Sequence, residues 1–292
     1  MEPRVVREIV HRIGDAKVLD RIGTPLGAAV DAAVKPGAIK DLLAGTWLGH
    51  PLHPVLTDLP IGAWSSSFML DVVGGKDARG GADTLLAIGI AASVPTVAAG
   101  LTDWTDTGGP SRRIGVAHAL GNVGALALFS GSLAARRRGN RAAGFALSAL
   151  GIAVSSASAY LGGHLSFRQA AGANHTSDLA DLFPSGWQGI GTLAELPEGE
   201  LTKRTVGGID LLVVRRGQHV DVLADKCTHL SGPLSEGTFR VEGGQGCVVC
   251  PWHGSTFRLS DGGVVHGPTT SPQPRFDVRV TGGAVEVRLP GT

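Results

Sequence analysis

The chain has 292 residues, enough for about two domains, and its net charge at pH 7 is +1. This balance of charges leaves no case for a nucleic-acid-binding protein. Only 17% of the residues are charged and 44 are glycine, a composition that favours a membrane protein.

Residues 1–47 are predicted to form an amphipathic N-terminal segment. Its apolar residues recur at helical spacing with charged residues between them, and they are Val5, Val6, Ile9, Val10 and Ile13. Such a helix would pack on its own protein or lie on a membrane surface. Trp47 follows at a place where an interfacial aromatic side chain is expected.

Residues 48–165 are predicted to form an all-α bundle of four transmembrane helices, at 59–75, 84–101, 114–135 and 142–163. The last two contain no formal charge and are long enough to cross about 30 Å of hydrocarbon. The first is the weakest, because it is short and contains Asp71. A soluble, alanine-rich bundle is the alternative.

Ionisable residues of this segment are predicted to gather at one face of the membrane. Four antiparallel crossings bring the starts of helices one and three and the ends of helices two and four to one side. The residues at those places are His50, His53, Asp58, Asp103, His118 and His164. Such histidines could ligate a b-type haem or hold a metal or a quinone headgroup. Alternatively, they cap or hydrogen-bond the helix ends.

The motifs Gly-His-Pro-Leu-His-Pro at 49–54 and Tyr-Leu-Gly-Gly-His at 160–164 are typical of one family. The segment resembles four-helix bacterial membrane proteins of uncharacterised function. This resemblance implies a multi-pass protein of the bacterial inner membrane, but it implies no activity.

Residues 166–186 are mostly small and polar, and they are predicted to form a linker. From residue 187 to 292, short apolar runs alternate with glycine turns, which predicts a small antiparallel all-β domain. The predicted strands lie at 209–215, 219–224, 247–249, 263–266, 276–280 and 284–289.

Two loops of this domain each supply one cysteine and one histidine. Cys227 and His229 are spaced C-x-H, and Cys250 and His253 are spaced C-x-x-H, with twenty residues between His229 and Cys250. Two sulfurs and two nitrogens suit either a closed zinc site or an iron–sulfur cluster with mixed ligands.

The residues around these ligands carry a second resemblance. Cys-Thr-His at 227–229 with Pro-Leu at 233–234, and Cys-Pro-Trp-His-Gly-Ser at 250–255 with Phe257, resemble the cluster-binding loops of Rieske ferredoxins and oxygenase components. The resemblance implies a [2Fe–2S] cluster with Cys227 and Cys250 on the buried iron and His229 and His253 on the outer one. Gly254, Ser255 and Pro268 would surround the cluster, Pro268 in a proline loop that closes over it.

Four positions bear on the reduction potential that the resemblance implies. Ser255 is placed to donate a hydrogen bond to a bridging sulfide, which favours the reduced state. Phe257 stands where the respiratory Rieske proteins have a tyrosine, and Leu230 and Trp252 stand where they have a disulfide. We therefore expect a ferredoxin-like potential at the lower end of the range of about −150 to +300 mV.

We therefore hypothesise a membrane-tethered Rieske protein that carries single electrons between a membrane donor, quinol or haem, and an unidentified redox partner. It would be a component of an oxidoreductase system and not a stand-alone catalyst. The alternatives are a ferredoxin-like component of an oxygenase or reductase system with the helices only as an anchor, and a redox sensor. The distribution of lysine and arginine gives conflicting signals on sidedness, and we favour a cytoplasmic Rieske domain.

Overall fold

The computed structural model describes residues 4–291, which fall into two compact units. The helical unit combines the residues up to Lys35 with Leu52–Ala171, and the β unit combines Pro36–Pro51 with the residues from Gly172 onwards. The predicted domain boundaries at residues 47, 165 and 186 stay predictions.

Within residues 4–291, eight α-helices precede the first strand. They are α1 (Arg4–Asp15), α2 (Asp20–Ala33), α3 (Ala38–Ala44), α4 (Leu52–Val73), α5 (Arg79–Thr105), α6 (Gly109–Arg137), α7 (Arg141–Arg168) and α8 (Leu179–Leu182). Helices α3 and α8 belong to the β unit and the others to the helical unit.

Within residues 4–291, the three helices α5, α6 and α7 are long and apolar enough to cross a membrane. Their most apolar segments have mean hydropathies of 1.8, 1.4 and 1.5. The fourth predicted membrane helix is present as α4, which has 22 residues. Helix α4 is not among the three candidates, and it contains Asp58 and Asp71. The all-α bundle is therefore confirmed, with three candidate spans in place of four.

The core of the helical unit is built on aromatic rings that lie against glycines. Trp64 of α4 stacks on Phe129 of α6, with ring centroids 4.2 Å apart. A Cβ on Gly89 would lie 2.3 Å from the indole nitrogen of Trp64, and one on Gly151 would lie 2.8 Å from the Phe129 ring. The small residues of α5 and α7 therefore admit the rings, as in other closely packed membrane helices.

A network of charges joins the ends of four helices of this unit. The side chain of Arg136 is only 1% exposed and contacts the carboxylates of Asp71 and Asp83. Arg141 also binds Asp83, at 2.6 Å, and Arg136 donates to the hydroxyl of Ser148 at 2.9 Å. Asp71 weakened the sequence prediction of the first helix, and this ion pair explains how a helix containing it can be accommodated.

We expect Arg136→Ala to destabilise the helical unit by up to about 3–5 kcal/mol. It removes the nearer cation of the buried carboxylate of Asp71 and leaves only Arg141, at 3.6 Å. The loss would appear as a lower unfolding temperature of the full-length protein in detergent. Arg137→Ala is the matched control, since it removes an exposed arginine one residue further along α6. If the two substitutions lowered the unfolding temperature equally, the stabilising role assigned to the Arg136 ion pair would be contradicted.

The described part of the β unit contains ten strands, and the pairings between them are antiparallel. The strands are β1 (Gln188–Thr192), β2 (Leu201–Val206), β3 (Ile209–Arg216), β4 (His219–Ala224), β5 (Thr238–Glu242), β6 (Gln245–Val249), β7 (Thr256–Arg258), β8 (Val264–His266), β9 (Asp277–Thr281) and β10 (Ala284–Arg288). They form three sheets, ordered β1-β10-β9, β2-β3-β4 and β5-β6-β7-β8. The predicted small antiparallel all-β domain is thus confirmed.

Strand β3 is buried on both faces because its side chains alternate between two cores. Leu211 and Val213 enter the first core with residues of β4 and β10. Leu212 and Val214 enter the second core, which also contains Cys227 and Cys250. The two cysteine loops therefore rest on the best-packed part of the unit.

The segment before β1 contributes to this unit as well. Leu179 of α8 and Phe183 are buried in the first core, where Phe183 packs on Phe276 with ring centroids 4.8 Å apart. These contacts lie within 166–186, the range predicted as a linker, and they attach its second half to the β unit.

Candidate metal centre

The first ligand loop follows β4, and the second joins β6 to β7. In the first, the carbonyl of Cys227 accepts from the backbone N–H of Ser231 at 3.0 Å. In the second, the carbonyl of Cys250 accepts from that of Gly254 at 3.1 Å, and Gly254 has a φ of +80°. Each loop therefore turns back on its own cysteine, and this brings the histidine that follows close to the sulfur.

The two loops approach each other closely at Gly232. A Cβ on this residue would lie 2.8 Å from Sγ of Cys250 and 3.1 Å from the ring of Trp252. Only a glycine fits at that distance. The first loop can therefore pack directly over the sulfur of the second.

The two cysteines are buried side by side and hydrogen-bond to each other. This hydrogen bond and burial raise the pKa of the Cys227 thiol. The same hydrogen bond is the main cause that lowers the pKa of the Cys250 thiol, to about 7.

Backbone amides also point at both sulfurs. The N–H groups of His229 and Leu230 donate to the sulfur of Cys227. Those of Trp252 and His253 donate to the sulfur of Cys250. Donors in these positions stabilise thiolate charge, so the pocket suits sulfurs that ligate a metal.

The two imidazoles form the second pair of the site. The ring centroids of His229 and His253 lie 5.0 Å apart with the ring planes at 88°. Burial and then the charge of His253 lower the pKa of His229 to about 3. His229 is therefore neutral at pH 7, which is the form that ligates a metal.

The arrangement in pairs distinguishes between the two kinds of centre that the sequence left open. A closed zinc site gathers four ligands around one ion. Across residues 4–291, no three His, Cys, Asp or Glu side chains lie close enough together to hold a single ion. A Rieske centre needs only two sulfurs at one iron and two imidazoles at the other. The residues present therefore fit the two-iron cluster better than they fit zinc.

Ser255 and the proline loop meet beside the ligand loops. Ser255 is fully buried, and its Oγ accepts from the backbone N–H of Thr269 at 3.2 Å. Because Oγ accepts there, its O–H is left to donate elsewhere. Thr269 directly follows Pro268, so the proline loop fixes the orientation of this hydroxyl.

Three polar residues that sequence reasoning missed tie the proline loop to the first ligand loop. Thr228 Oγ1 lies 2.8 Å from Thr269 Oγ1, and its backbone N–H donates to the buried side chain of Gln273 at 3.1 Å. Gln273 in turn donates to the carbonyls of Ala224 and Lys226, both at 2.7 Å. Thr228 lies within the Cys-Thr-His motif and Gln273 between two prolines, but neither pattern indicated these contacts.

Comparison with known proteins agrees with this geometry. Residues 186–278 match the family described as "Rieske [2Fe-2S] domain". The anthranilate 1,2-dioxygenase ferredoxin subunit of Burkholderia cepacia is 33% identical over 103 residues, which cover 35% of this chain and 92% of that protein. By its C-terminal domain, the chain belongs to the Rieske [2Fe–2S] family.

Other relatives of the Rieske domain include further ferredoxins, matched over most of their length, and a protein of which only a small part is matched. Ferredoxin CarAc of Metapseudomonas resinovorans is 33% identical over 102 residues, covering 35% of this chain and 92% of that protein. The ferredoxin of carbazole 1,9a-dioxygenase from Nocardioides aromaticivorans IC177, a solved structure, is 30% identical and covers 36% of this chain and 98% of its own, with a TM-score of 0.33. Cholesterol 7-desaturase nvd of Drosophila melanogaster is matched over 22% of its length, at 31% identity. Likeness to oxygenase ferredoxins supports an electron-transfer role for this domain.

Residues 49–175 match a second family, described as "Predicted membrane protein (DUF2231)". Both resemblances expected from the sequence are therefore confirmed, with the membrane domain on the N-terminal side of the Rieske domain. The description names no activity or cofactor.

Of the four predicted membrane-domain histidines, the structure brings His53 and His118 together. Their ring centroids lie 6.4 Å apart. His50 is exposed and belongs to the β unit, while His164 is half-buried near the end of α7. The structure thus brings together one pair of the four predicted histidines, and the gathering of His50 and His164 with them stays a prediction.

Both histidines of the pair are held by backbone carbonyls. Nδ1 of His53 lies 2.9 Å from the carbonyl oxygen of Thr96, and Nδ1 of His118 lies 2.7 Å from that of Ser158. Nδ1 therefore carries the proton in both rings, which leaves the lone pair on Nε2. Asn122 places its side-chain nitrogen 3.0 Å from Nε2 of His118.

Proposed function

We propose that the chain carries single electrons through a Rieske [2Fe–2S] cluster held by Cys227 and Cys250 at one iron and by His229 and His253 at the other. The observation that carries this proposal is the pairing of two buried sulfurs, which receive four backbone N–H groups, with two adjacent imidazoles. The cluster, when bound, supplies a one-electron redox centre.

Burial decides which end of the centre meets a redox partner. Cys227 and Cys250 are almost fully buried, whereas His229 and His253 are half-buried. Trp252, beside His253, is 57% exposed. Electrons would therefore enter and leave on the histidine side, where a partner can approach the ring edges.

The soluble partner that fits best is an oxygenase or reductase component. Support comes from relatives that are named as ferredoxin subunits of dioxygenases, such as the protein from Burkholderia cepacia. We further infer that the protein is a multi-pass protein of the bacterial inner membrane with its Rieske domain in the cytoplasm, where such partners occur.

We propose a quinol or haem as the donor within the membrane, with His53 and His118 as the residues that bind it. Two features support this site: the rings are adjacent, and each donates from Nδ1 to a carbonyl. The same pattern holds the ring of a metal-ligating histidine in place.

A second candidate function is that of a ferredoxin whose helices serve only as an anchor. The packing around the two histidines favours it. A Cβ on Gly100 would lie 2.7 Å from the ring of His53, and one on Gly162 would lie 2.9 Å from that of His118. Rings that fit so closely against glycines, with Asn122 at Nε2 of His118, match histidines that serve packing alone.

Absorption spectra and quinone extraction of the full-length protein in detergent separate the two functions. With a membrane cofactor, we expect a haem band or bound quinone that His53→Ala and His118→Ala both remove, while the matched control His164→Ala retains it. Protein that contains only the iron–sulfur chromophore and no quinone would contradict the membrane-donor proposal and favour the anchor.

A further inference from the structure

Helix α3 lies far from the Rieske domain in sequence but belongs to the same compact unit. It begins after Gly37 and ends at Gly45, whose φ is +83°. The short 3₁₀ turn Thr46–Leu48 follows directly. This segment precedes the membrane domain in the chain and lies outside the residues that match the Rieske family.

Asp41 of α3 binds the start of the proline loop with both carboxylate oxygens. Its Oδ1 accepts from the backbone N–H of Gly267 at 2.8 Å, and its Oδ2 accepts from Nδ1 of His266, also at 2.8 Å. The carboxylate is 20% exposed, so it is partly shielded from water. These contacts join residues more than 220 positions apart in the chain.

His266 lies between two carboxylates. Its Nε2 lies 2.7 Å from the carboxylate of Glu242 on β5, while Nδ1 is bound to Asp41. Both ring nitrogens must therefore donate, which makes the imidazole cationic. Asp41 first and Glu242 second raise the pKa of His266, and burial opposes them. Of the two carboxylates, Asp41 is the one that also binds Gly267.

The proline loop connects Asp41 to the residues around the cluster site. A Cβ on Gly267 would lie 2.5 Å from Oγ1 of Thr46, so α3 and its turn pack directly on this residue. Two residues later, Thr269 donates its backbone N–H to Oγ of Ser255 and also contacts Thr228 in the first ligand loop. Asp41 is thus connected to Ser255 by four consecutive residues of one loop.

We propose that Asp41 is a positioning residue for the Rieske centre: it anchors the proline loop at Gly267 and thereby holds the hydroxyl of Ser255 in its donating orientation. The proposal rests on the proposed cluster. It assigns to the segment 36–51 a function in tuning the cluster, in addition to its place between α2 and the membrane domain.

Removing the Asp41 side chain has two effects on the reduction potential, and they have opposite signs. Two substitutions separate them. Removing a negative charge near the cluster favours the reduced state and raises the potential. Releasing the proline loop misorients the Ser255 hydroxyl, weakens its hydrogen bond to the cluster and lowers the potential. Asp41→Asn keeps an oxygen that can accept from Gly267 but loses the charge and the acceptor for Nδ1 of His266. Asp41→Ala loses the bond to Gly267 as well.

The experiment is a redox titration of the full-length protein in detergent, followed by electron paramagnetic resonance. We expect Asp41→Ala to lower the midpoint potential, and Asp41→Asn to leave it unchanged or raise it. Glu242→Gln is the matched control, because it removes the other carboxylate bound to His266 but leaves the bond between Asp41 and Gly267 in place. It should not lower the potential. Combining Asp41→Ala with Ser255→Ala should lower it no further than Ser255→Ala alone.

Asp41→Ala and Asp41→Asn with equal potentials would overturn the proposal, since the effect would then be one of charge only. If Asp41→Ala does not accumulate as folded protein, Gly267→Ala displaces the same junction and should lower the potential; an unchanged potential would overturn the proposal. Wild-type protein without a Rieske signal would instead reject the proposed function. If the wild type gives a Rieske signal but the Asp41 variants have the wild-type potential, this inference is rejected and the proposed function is not.

Discussion

The Cys227→Ser variant is expected to lose its iron–sulfur cluster completely. A serine hydroxyl at this position stays protonated at pH 7, so the buried iron would lack one of its two anionic ligands. The variant would also lose the sulfur that hydrogen-bonds to Cys250. Iron and acid-labile sulfide analysis and the visible absorption spectrum measure the loss.

Cys247→Ser is the matched control for this experiment. Cys247 is also a buried cysteine of the β unit, but it lies on β6, where its Sγ donates to the carbonyl of Gln245 at 3.6 Å. Its substitution should leave iron and sulfide at the wild-type level. A Cys227→Ser protein that retains two irons and two sulfides would show that the ligand is assigned wrongly.

The second large effect is expected from Ser255→Ala, which should lower the midpoint potential of the cluster by about 65–130 mV. The estimate converts a hydrogen bond to a charged group, about 1.5–3 kcal/mol, at about 59 mV per tenfold change for one electron. The physical reason is that the buried hydroxyl stabilises the more negative, reduced cluster. A redox titration followed by electron paramagnetic resonance measures the shift.

Ser235→Ala provides the control for this prediction. Ser235 follows the first ligand loop, but its hydroxyl donates to the carboxylate of Asp225 at 3.1 Å. Its substitution should leave the potential unchanged. A potential that is the same in Ser255→Ala as in the wild type would mean that this hydroxyl does not donate to the cluster.

The ligand loops could be predicted from the sequence because their signal is local. Cys227 and His229 lie in one loop and Cys250 and His253 in another, and each spacing is short enough to be recognised. The membrane helices had a comparable signal in their long apolar runs. Their true ends lie further out, because a charged residue such as Arg136 is paired within the bundle.

Features that depend on distant parts of the chain could not be predicted. The anchoring of the proline loop by Asp41 joins residues with no shared local pattern. The alternating direction of the four predicted helices indicated only the side of the membrane on which each histidine lies. It could not show that His53 contacts His118, or that His50 belongs to the other unit. Strand β2 was missed because four consecutive polar residues give little signal for a strand. Strand β5 was also missed, although its polar and apolar residues alternate as they do in a half-buried strand.

The most direct test of the account is the electron paramagnetic resonance spectrum of the reduced full-length protein, combined with metal and sulfide analysis. Two irons and two sulfides per chain with the spectrum of a Rieske centre are the predicted result. One zinc per chain and no sulfide would contradict the account, because zinc has no redox chemistry and cannot carry an electron.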